Sequence, residues 1–463
     1  LKATLFDHQL SGFRWLVRQW DQGAGGLLAD DMGLGKTVQV IALLAHLHEQ
    51  GQLAPTLLVV PLALMDTWRE ELAKFAPTLP GPYLHLGPGR VRNVEWLQHQ
   101  PLTLTTYDTL RRDQLLFGKV KYRAIICDEA QTAKAHSSQR SHALRAMQGH
   151  LRLAMTGTPV ENRLEELWTI MDFVQPGRLG SLKAFRETYG RGQAMPELFE
   201  KIRPHYLRRT KEEVLADKLP QKTVQVMYVD SSAEQQAYAR AIVTEVHHKR
   251  IHPLQALARL RLLYAHPGAV TQRLAGLPPE RVPKLEAVLR ILDAVRERGE
   301  KALIFTESRR VQALLVEALM RRYGVPEVPV INGESTHRQA MVTQFNAAPG
   351  FRVCILSPRA AGVGLTLTSA NHVIHYTRWW NPAVENQATD RVYRIGQTRP
   401  VTVYHVITKD PANFPKGTVE EHIHALLEEK QDLARQVLVP FDVRSVQDQV
   451  MRAMFGGEAP SEG

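Results

Sequence analysis

The chain has 463 residues, enough for roughly three domains, and its 44% hydrophobic and 23% charged residues are ordinary for a globular protein with large cores. No apolar run approaches the roughly 18 residues of a membrane-spanning helix, and the N-terminal LKATLFDHQL lacks the apolar core of a signal peptide. The net charge of +11 favours a polyanionic partner, although charge alone does not identify a nucleic acid.

The terminus and the cysteines add two expectations. The chain begins at Leu1 instead of Met, so we expect a piece of a longer protein with a domain upstream. Its two cysteines, Cys127 and Cys354, lie in apolar, strand-like runs and belong to no CxxC or Cys/His cluster. They therefore predict buried, reduced core residues of an intracellular protein, with neither a disulfide nor a metal site.

The run GGLLADDMGLGKTVQVIALL begins with a short apolar strand, continues through a glycine-rich turn and ends in a helical pattern. Its kernel predicts a phosphate-binding loop, in which backbone amides and the helix N-terminus surround phosphate oxygens, a lysine reaches the phosphates and a hydroxyl holds Mg²⁺. Asp30 stands where the common pattern has glycine, and the alternative is a chance match in a tight turn. The kernel consists of Gly33, Gly35, Lys36 and Thr37.

Two stretches alternate short apolar strands with helices, which predicts an α/β fold. The first extends to about residue 158, with strands expected at Thr56–Pro61, Pro101–Tyr107, Ala124–Glu129 and Leu151–Gly157. The second covers about 284–412, with strands expected at Lys301–Thr306, Arg352–Ser357, His372–Tyr376 and Val401–Ile407. Helices separate the two stretches, interrupted by a strand-like linker, LPQKTVQVMYVD; the final GGEAPSEG lacks apolar residues except Ala and predicts disorder.

An apolar strand ends in Asp128 and Glu129, at the strand end where open α/β sheets bind ligands. Asp128 is expected to hold Mg²⁺ through water and Glu129 to polarise the attacking water. Alone, this pair is typical of a solvated strand end, but the phosphate loop upstream favours the functional interpretation. The TGTP turn at Thr156–Pro159 either links the γ-phosphate to the rest of the lobe or is a plain turn.

Two further motifs remain ambiguous from the residues alone. Arg391 and Arg394 lie three positions apart and would share a face of a helix, where they could stabilise charge on a transferring phosphoryl group. Without context, an exposed basic helix is the better interpretation. Trp379 and Trp380 either stack on a base or sugar or pack in the protein.

Taken together, the motifs resemble the SWI/SNF family of DNA-dependent ATPases, within the superfamily-two helicase-like proteins. The resemblance spans nearly the whole chain, from LFDHQLSGFRWL to beyond RIGQ, and Asp30 is usual in the family's phosphate loop. General helicases share the first motifs, whereas LRRTKEEV, WWNP and RIGQ point to this family. The signatures are DDMGLGKT, DEAQ, MTGTPVENRLEEL, LRRTKEEVL with LPQKT, AGVGLTL, WWNPAVENQA and DRVYRIGQ.

The resemblance implies two RecA-like parallel-sheet lobes, each with a helical insertion, and ATP hydrolysis in the cleft between them. We expect the first lobe at 1–159 and its insertion and linker at 160–225. The second insertion is expected at 226–283 and the second lobe at 284–416. A C-terminal helical segment with a disordered tail would occupy 417–463.

The resemblance also implies roles for individual residues. Gln9 aligns with the glutamine that reads adenine, Lys36 and Thr37 with the phosphate and Mg²⁺ ligands, and Asp128 and Glu129 with the Mg²⁺ and water pair. The γ-phosphate sensor and arginine fingers align with Gln387, Arg391 and Arg394. DNA-contact motifs include Pro61, Thr105, Thr106 and Lys134 in the first lobe, and Arg338, Gly362, Gly364 and Trp380 in the second.

The chain departs from the family pattern in several places. Ala361 stands where the family often has glycine, Thr366 replaces an asparagine, and Thr377 and Arg378 replace the Asp and Pro of YDPWWNP. The CNHP helix end is here YAHP. These changes touch lobe coupling and DNA contacts, and they favour a divergent bacterial branch.

We therefore expect an ATP-dependent translocase on double-stranded DNA that uses ATP and Mg²⁺ and does not separate strands. We expect a cytoplasmic monomer, nucleoid-associated if bacterial, acting on a DNA-bound protein such as RNA polymerase. Two alternatives stay open: a nucleic-acid-binding scaffold that ATP switches without turnover, and an RNA-remodelling ATPase.

Overall fold

The computed structural model describes residues 1–133, 138–160, 163–190, 194–215, 218–358, 365–436 and 443–455. The chain divides into two compact units, with the division between residues 216 and 217. Each unit is built on a sheet whose strands all pair in parallel. The expected fold class, α/β with two RecA-like parallel-sheet lobes and many helices, is confirmed.

The sheet of the first unit has the strand order β3–β4–β2–β5–β6–β1–β7. Its central strands are buried toward their carboxyl ends because a parallel sheet is covered by helices on both faces. The strands are β1 (Gly26–Leu28), β2 (Thr56–Val60), β3 (Tyr83–Leu84), β4 (Leu102–Thr106), β5 (Lys121–Cys127), β6 (Gln148–Met155) and β7 (Tyr206–Leu207).

Helices of the first unit precede, connect and follow these strands. They are α1 (Asp7–Asp21), α2 (Lys36–Glu49), α3 (Met65–Phe75), α4 (Val94–Gln98), α5 (Tyr107–Arg112), α6 (Gln114–Phe117), α7 (Gln139–Arg145), α8 (Leu164–Val174), α9 (Leu182–Tyr189), α10 (Met195–Ile202) and α11 (Lys211–Leu215).

The sheet of the second unit has the order β10–β11–β9–β12–β13–β8. Its strands are β8 (Lys222–Asp230), β9 (Lys301–Phe305), β10 (Val330–Ile331), β11 (Arg352–Leu356), β12 (His372–His375) and β13 (Val401–Lys409). Its helices are α12 (Ala233–His247), α13 (Pro253–Ala265), α14 (Pro283–Glu297), α15 (Arg309–Tyr323), α16 (Arg338–Ala347), α17 (Pro382–Thr389), α18 (Val419–Gln436) and α19 (Val443–Phe455).

Alternate residues of the second sheet supply two separate cores. In β9, Ala302 and Ile304 join a core formed with α14 and α15, whereas Leu303 and Phe305 join a core on the opposite face. This division follows from the two-residue period of a strand. Both faces are thereby buried, as the uninterrupted apolar runs predict.

The strand-like linker forms β8, an edge strand of the second sheet that pairs with β13 along its whole length. The boundary expected at residue 226 therefore lies inside β8. The two-residue strands β3, β7 and β10 were not predicted, and the tail GGEAPSEG lies outside the described residues.

Cys127 and Cys354 are free and fully buried, as expected from their apolar surroundings. In the described parts of the chain, no helix combines the length and the hydropathy needed to cross a membrane.

Candidate active site

Three loops meet at the carboxyl edge of the first sheet. Strands β5, β6 and β1 are neighbours, and their last residues lie side by side, with Cys127 opposite Ala154 and Met155 opposite Leu28. The phosphate loop, the acidic pair and the TGTP turn each follow one of these strands. A Cβ at Gly157 of the TGTP turn would lie 2.8 Å from Met32 Cγ and 3.7 Å from Lys36 Nζ, so this turn packs directly against the phosphate loop.

The phosphate loop has the backbone conformation that its glycines allow. Gly33 and Gly35 have φ angles of 86° and 81°, in the left-handed region that side chains disfavour, and Gly35 precedes the first residue of α2. A Cβ at Gly35 would clash with the side-chain amide of Gln9. Gln9 Nε2 donates to the backbone oxygen of Leu34 at 3.2 Å, so the residue aligned with adenine recognition lies against the loop.

Lys36 begins α2, and its ammonium group lies against the loop's own backbone. Lys36 Nζ donates to the backbone oxygens of Asp30 at 2.6 Å and Asp31 at 3.3 Å. Thr37, the candidate Mg²⁺ ligand, is the next residue of the same helical turn and is half-buried. Both side chains thus belong to the first turn of α2, where the helix dipole favours anions.

Asp30, the departure from the common pattern, is fully buried and paired. Gln39 Nε2 donates to its carboxylate at 3.2 Å, and Arg209 Nε donates to it at 2.9 Å. Arg209 lies just beyond β7, in the LRRTKEEV motif, and the sequence reasoning assigned it no role. The available signal was Asp30 itself, because a buried carboxylate requires a cationic or hydrogen-bonding partner.

The acidic pair follows β5, and its two carboxylates have different surroundings. Trp68 Nε1 donates to Asp128 Oδ2 at 2.8 Å, and the backbone amide of Glu129 donates to Oδ1 at 2.9 Å. Burial, with the nearby Glu129 carboxylate, raises the pKa of Asp128 to about 7, while Lys36 opposes the shift. Lys36 is thus close enough to Asp128 to stabilise its charge. Trp68 was not identified from the sequence.

A chain of hydrogen bonds connects Glu129 with the TGTP turn. Gln131 Nε2 donates to Glu129 Oε2 at 2.6 Å, and Thr156 Oγ1 donates to Gln131 Oε1 at 2.6 Å. The backbone amide of Thr158 donates to the Thr156 hydroxyl at 3.0 Å. The turn therefore has a specific partner in the acidic motif, whereas a contact with a γ-phosphate stays a prediction.

These residues fit ATP and Mg²⁺ on chemical grounds. The left-handed glycines leave the backbone of the loop open to phosphate oxygens, and Lys36 supplies the positive charge. Hydroxyl and carboxylate oxygens, as in Thr37 and Asp128, are the donors that Mg²⁺ prefers. No cluster of three or more His, Cys, Asp and Glu side chains able to hold a metal is found in the described residues.

In the second unit, the arginine pair does not share a helix face, and that expectation was wrong. Helix α17 ends at Thr389, and Arg391 and Arg394 lie in the turns that follow. The backbone oxygen of Arg391 accepts a hydrogen bond from Leu367 at 3.0 Å, and Arg394 Nη1 donates to Thr366 Oγ1 at 3.0 Å. The chain is drawn away from the helix because these turns bond to the segment before β12.

The side chain of Gln397 fixes the same turns, a structural role that sequence reasoning did not assign. Its side-chain amide donates to the backbone oxygens of Ala370 at 2.7 Å and Thr368 at 3.1 Å. Arg391 is 4% exposed, and Gln387 lies half-buried on α17, one helical turn earlier. The three residues aligned with the sensor and fingers thus lie in one compact segment.

The first-unit DNA candidates lie at the ends of β2 and β4. Pro61 directly follows Val60, which pairs with Thr106. Thr105 is fully buried and donates to the backbone oxygen of His85 at 2.9 Å, and the Thr106 hydroxyl caps α5. Both hydroxyls therefore have internal partners. Lys134, Gly362 and Gly364 lie outside the described residues.

The second-unit candidates are held by neighbouring backbone or by an arginine. Arg338, the first residue of α16, donates to the backbone oxygens of Ser335 at 3.2 Å and Gly333 at 3.1 Å. Trp380 is half-buried, and the guanidinium of Arg261 lies 4.7 Å from its ring centroid. Trp379, in contrast, is 7% exposed and packs in the protein.

Arg378, which replaces proline in the family pattern, is a buried structural residue. It is 3% exposed, and its Nε donates to both carboxylate oxygens of Glu385 at 3.1 Å. The Glu385 carboxylate also accepts from the backbone amide of Trp379 at 2.5 Å, and Arg261 donates to the backbone oxygen of Arg378 at 2.9 Å. The substitution therefore fixes the loop that carries Trp380.

Comparison with known families agrees with this arrangement. Residues 8–267 match the SNF2-related domain, and residues 283–396 match the helicase conserved C-terminal domain. The chain belongs to the SNF2-related family. The resemblance to SWI/SNF ATPases is thereby confirmed.

The SNF2-related chain has bacterial and eukaryotic relatives. It is 38% identical to the putative ATP-dependent helicase/translocase YwqA of Bacillus subtilis and 37% identical to the Zorya protein ZorD of Escherichia coli, each over 94% of this chain. It covers 49% and 45% of these proteins, so it spans about half the length of its bacterial relatives. It is 32% identical, over 99% of its length, to human chromodomain-helicase-DNA-binding protein 1, of which it covers 28%.

A solved structure of the Sulfolobus solfataricus SWI2/SNF2 ATPase core in complex with dsDNA is 33% identical. It aligns with 98% of this SNF2-related chain and 97% of the solved chain, at a TM-score of 0.48.

Proposed function

We propose that this chain is an ATP-dependent translocase on double-stranded DNA that remodels protein–DNA complexes without separating the strands. The observation that carries the proposal is the meeting of the phosphate loop, the acidic pair and the TGTP turn at one sheet edge. Family membership favours an ATPase, and the net charge of +11 favours a polyanionic track.

For hydrolysis, the first unit supplies the residues that bind ATP and direct water. Gln9 recognises the adenine, the amides of the loop and Lys36 hold the phosphates, and Glu129 orients the attacking water. Mg²⁺, held by Thr37 and Asp128, would neutralise charge on the phosphate oxygens when bound. Thr156 and Gln131 keep the Glu129 carboxylate oriented through the hydrogen bonds described above.

The second unit contributes Gln387, Arg391 and Arg394. Arginine side chains stabilise the charge that develops on a transferring phosphoryl group, and such residues raise hydrolysis rates by about 10³-fold or more. Hydrolysis that depends on residues of both units couples each turnover to a rearrangement of the units. This coupling is the proposed source of movement along DNA.

The proposed grip on DNA is directed at phosphates. Backbone contacts carry no sequence information, so the enzyme would move along any duplex, and its affinity would fall steeply with salt. The proposed setting is a monomer in the bacterial cytoplasm, near the nucleoid, that displaces a DNA-bound protein such as RNA polymerase. The proposed contact residues are Pro61, Thr105, Thr106, Lys134, Arg338, Gly362, Gly364 and Trp380.

The deciding experiment measures phosphate release with no nucleic acid, duplex DNA, single-stranded DNA and RNA at equal nucleotide concentrations. We expect the largest stimulation with duplex DNA. Stronger stimulation by RNA would instead support an RNA-remodelling ATPase, and ATP binding without turnover would support a switched scaffold.

Translocation itself needs a second assay. A third strand annealed to a duplex is displaced by a protein that moves along the duplex, and we expect ATP-dependent displacement of that strand with the duplex left intact. Displacement with a non-hydrolysable ATP analogue, or release of single strands from the duplex, would contradict the proposal.

A further inference from the structure

Arg209 connects segments of the first unit that surround the phosphate loop. Its guanidinium bonds to the Asp30 carboxylate through Nε and Nη2, to Gln39 Oε1 through Nη2 at 2.9 Å, and to the backbone oxygen of His8 through Nη1. One side chain thus joins the strand end before the loop, helix α2 after it and helix α1, which carries Gln9.

The protein provides space for this side chain. Gly12 lies inside α1, and a Cβ at this position would lie 2.7 Å from Arg209 Nη2 and would also clash with Gln39 Oε1. Glycine within a helix costs about 0.5–1 kcal/mol relative to alanine. The helix therefore accepts a local loss of stability at the one face where Arg209 and Gln39 approach it.

The backbone around Arg209 reinforces the connection. The amide of Ala29 donates to the backbone oxygen of Leu207 at 2.7 Å, and the amide of Asp31 donates to that of Arg209 at 3.0 Å. The amide of Lys211 donates to the Asp31 carboxylate at 3.2 Å. The segment after β7 thus continues alongside the strand end that leads into the loop.

Asp30 is the point at which this connection reaches the phosphate-binding lysine. Its carboxylate is held by Arg209, while its backbone oxygen accepts the hydrogen bond from Lys36. The residue that Arg209 holds therefore also supplies a hydrogen-bond acceptor to the lysine of the phosphate loop.

We propose that Arg209 is a positioning residue for nucleotide binding, which holds the phosphate loop in the binding geometry through Asp30. A loop that is already ordered loses less conformational freedom when ATP binds, so its affinity is higher. We call the bonded pair of Arg209 and Asp30 the lock. Because the lock supports the loop equally with substrate and in the transition state, its loss should raise KM and leave kcat nearly unchanged. The inference rests on the ATP-binding part of the proposed function.

The test is a double-mutant cycle with Arg209→Gln, Asp30→Asn and the double variant. We expect each single variant to raise the ATP KM and the dissociation constant of a fluorescent ADP analogue about tenfold, with kcat changed less than about threefold. The double variant should be no weaker than either single variant, because the two residues act as one unit. Arg203→Gln, on the same segment but in an exposed ion pair with Glu200, is the matched control and should change neither constant.

Two outcomes would overturn the inference: unchanged nucleotide affinity in folded Arg209→Gln, or single effects that multiply in the double variant. If Arg209→Gln does not fold, Gly12→Ala takes its place, because it keeps every charge, favours the helix and displaces the side chains of Arg209 and its partner Gln39. A raised dissociation constant in Gly12→Ala supports the lock, and an unchanged one refutes it.

The binding measurement separates this inference from the proposed function. Wild-type protein that binds the ADP analogue but does not hydrolyse ATP would refute the translocase, while the cycle of dissociation constants would still decide for or against the lock.

Discussion

The two sheets share parallel topology, yet the side chains at their carboxyl edges are used differently. In the first unit the residues that follow the strands surround the phosphate loop, and their hydrogen bonds lead from Thr156 through Gln131 to Glu129. In the second unit, the side chain at the end of β12 contacts a neighbouring strand and the end of α17. His375, at the end of β12, stacks on His405 of β13 with ring centroids 5.1 Å apart.

Two buried cations near the end of β12, Lys284 and Arg378, are also paired within the second unit. The ammonium of Lys284 is bonded to both carboxylate oxygens of Glu420, and Arg378 forms its ion pair with Glu385. The arginines aligned with catalysis lie in the turns after α17. The carboxyl edge of a parallel sheet can carry catalytic groups, but the side chains at that edge determine whether it does.

The largest expected effect removes the second unit's contribution to hydrolysis. Arg391→Ala should lower DNA-stimulated ATP hydrolysis by about 10³-fold, because an arginine that stabilises transition-state charge is worth that much. The affinity for a fluorescent ATP analogue should change by less than about threefold. Arg399→Ala, an exposed arginine of the same region, is the control. A full rate in folded Arg391→Ala would leave hydrolysis to the first unit alone.

The second variant removes the water-directing carboxylate of the first unit. Glu129→Gln should lower the hydrolysis rate by about 10²- to 10³-fold while the nucleotide still binds, because a positioned general base contributes in this range. Phosphate release and analogue binding are measured together. Glu49→Gln, an exposed carboxylate at the end of α2, should behave like wild type. Normal turnover in Glu129→Gln would show that the carboxyl edge of the first sheet does not supply the water-directing carboxylate.

A smaller effect is expected at Trp380, which the second unit leaves half-exposed. Trp380→Ala should raise the DNA concentration for half-maximal ATPase stimulation about tenfold, in line with the value of one aromatic stacking contact. Trp380→Phe should recover part of the loss. Trp96→Ala, an exposed tryptophan of the first unit, is the control. An equal shift in both alanine variants would argue against a DNA contact at Trp380.

The smallest effect concerns the stability of the second sheet edge in acid. Burial lowers the pKa of His375 to about 4, so the folded protein keeps this imidazole neutral while the unfolded chain takes up a proton below about pH 6.5. The contribution of neutral His375 to the free energy of unfolding is therefore complete above about pH 6.5, and it falls as the pH drops toward 4. At pH 5 the loss from this residue is about 2 kcal/mol relative to pH 7.5.

Urea titrations of wild type and His375→Phe at both pH values test this expectation. The variant should lose about 2 kcal/mol less than wild type between pH 7.5 and pH 5. His48, which is exposed at the end of α2, provides a control substitution to phenylalanine. Identical losses in wild type and His375→Phe would show that His375 does not titrate on unfolding.

Sequence reasoning located the elements whose signal is local. The apolar runs of β2, β9 and β11 were expected within one residue of their observed ends, because a parallel strand covered on both faces is a nearly continuous apolar run. The two-residue strands β3, β7 and β10 are too short to carry such a pattern. The phosphate loop and the acidic pair were recognisable because each consists of neighbouring residues: closely spaced glycines in the loop and adjacent carboxylates in the pair.

The remaining features depend on contacts between distant parts of the chain. Asp30 and Arg209 are 179 positions apart, so the sequence around one residue does not predict its contact with the other. The prediction of a helix through Arg391 and Arg394 was wrong because the Gln397 amide and the Leu367 backbone hold this segment in turns. Residues three positions apart share a helix face only where tertiary contacts allow the helix to continue.

The backbone of Glu129 shows the conflict between stability and activity at a single residue. Its φ angle is 48°, a left-handed conformation that costs a residue with a Cβ roughly 1–2 kcal/mol and that glycine would adopt freely. Glycine at this position would relieve the strain and remove the carboxylate. A search for more stable variants would therefore favour changes at Glu129, and a search for turnover would reject them.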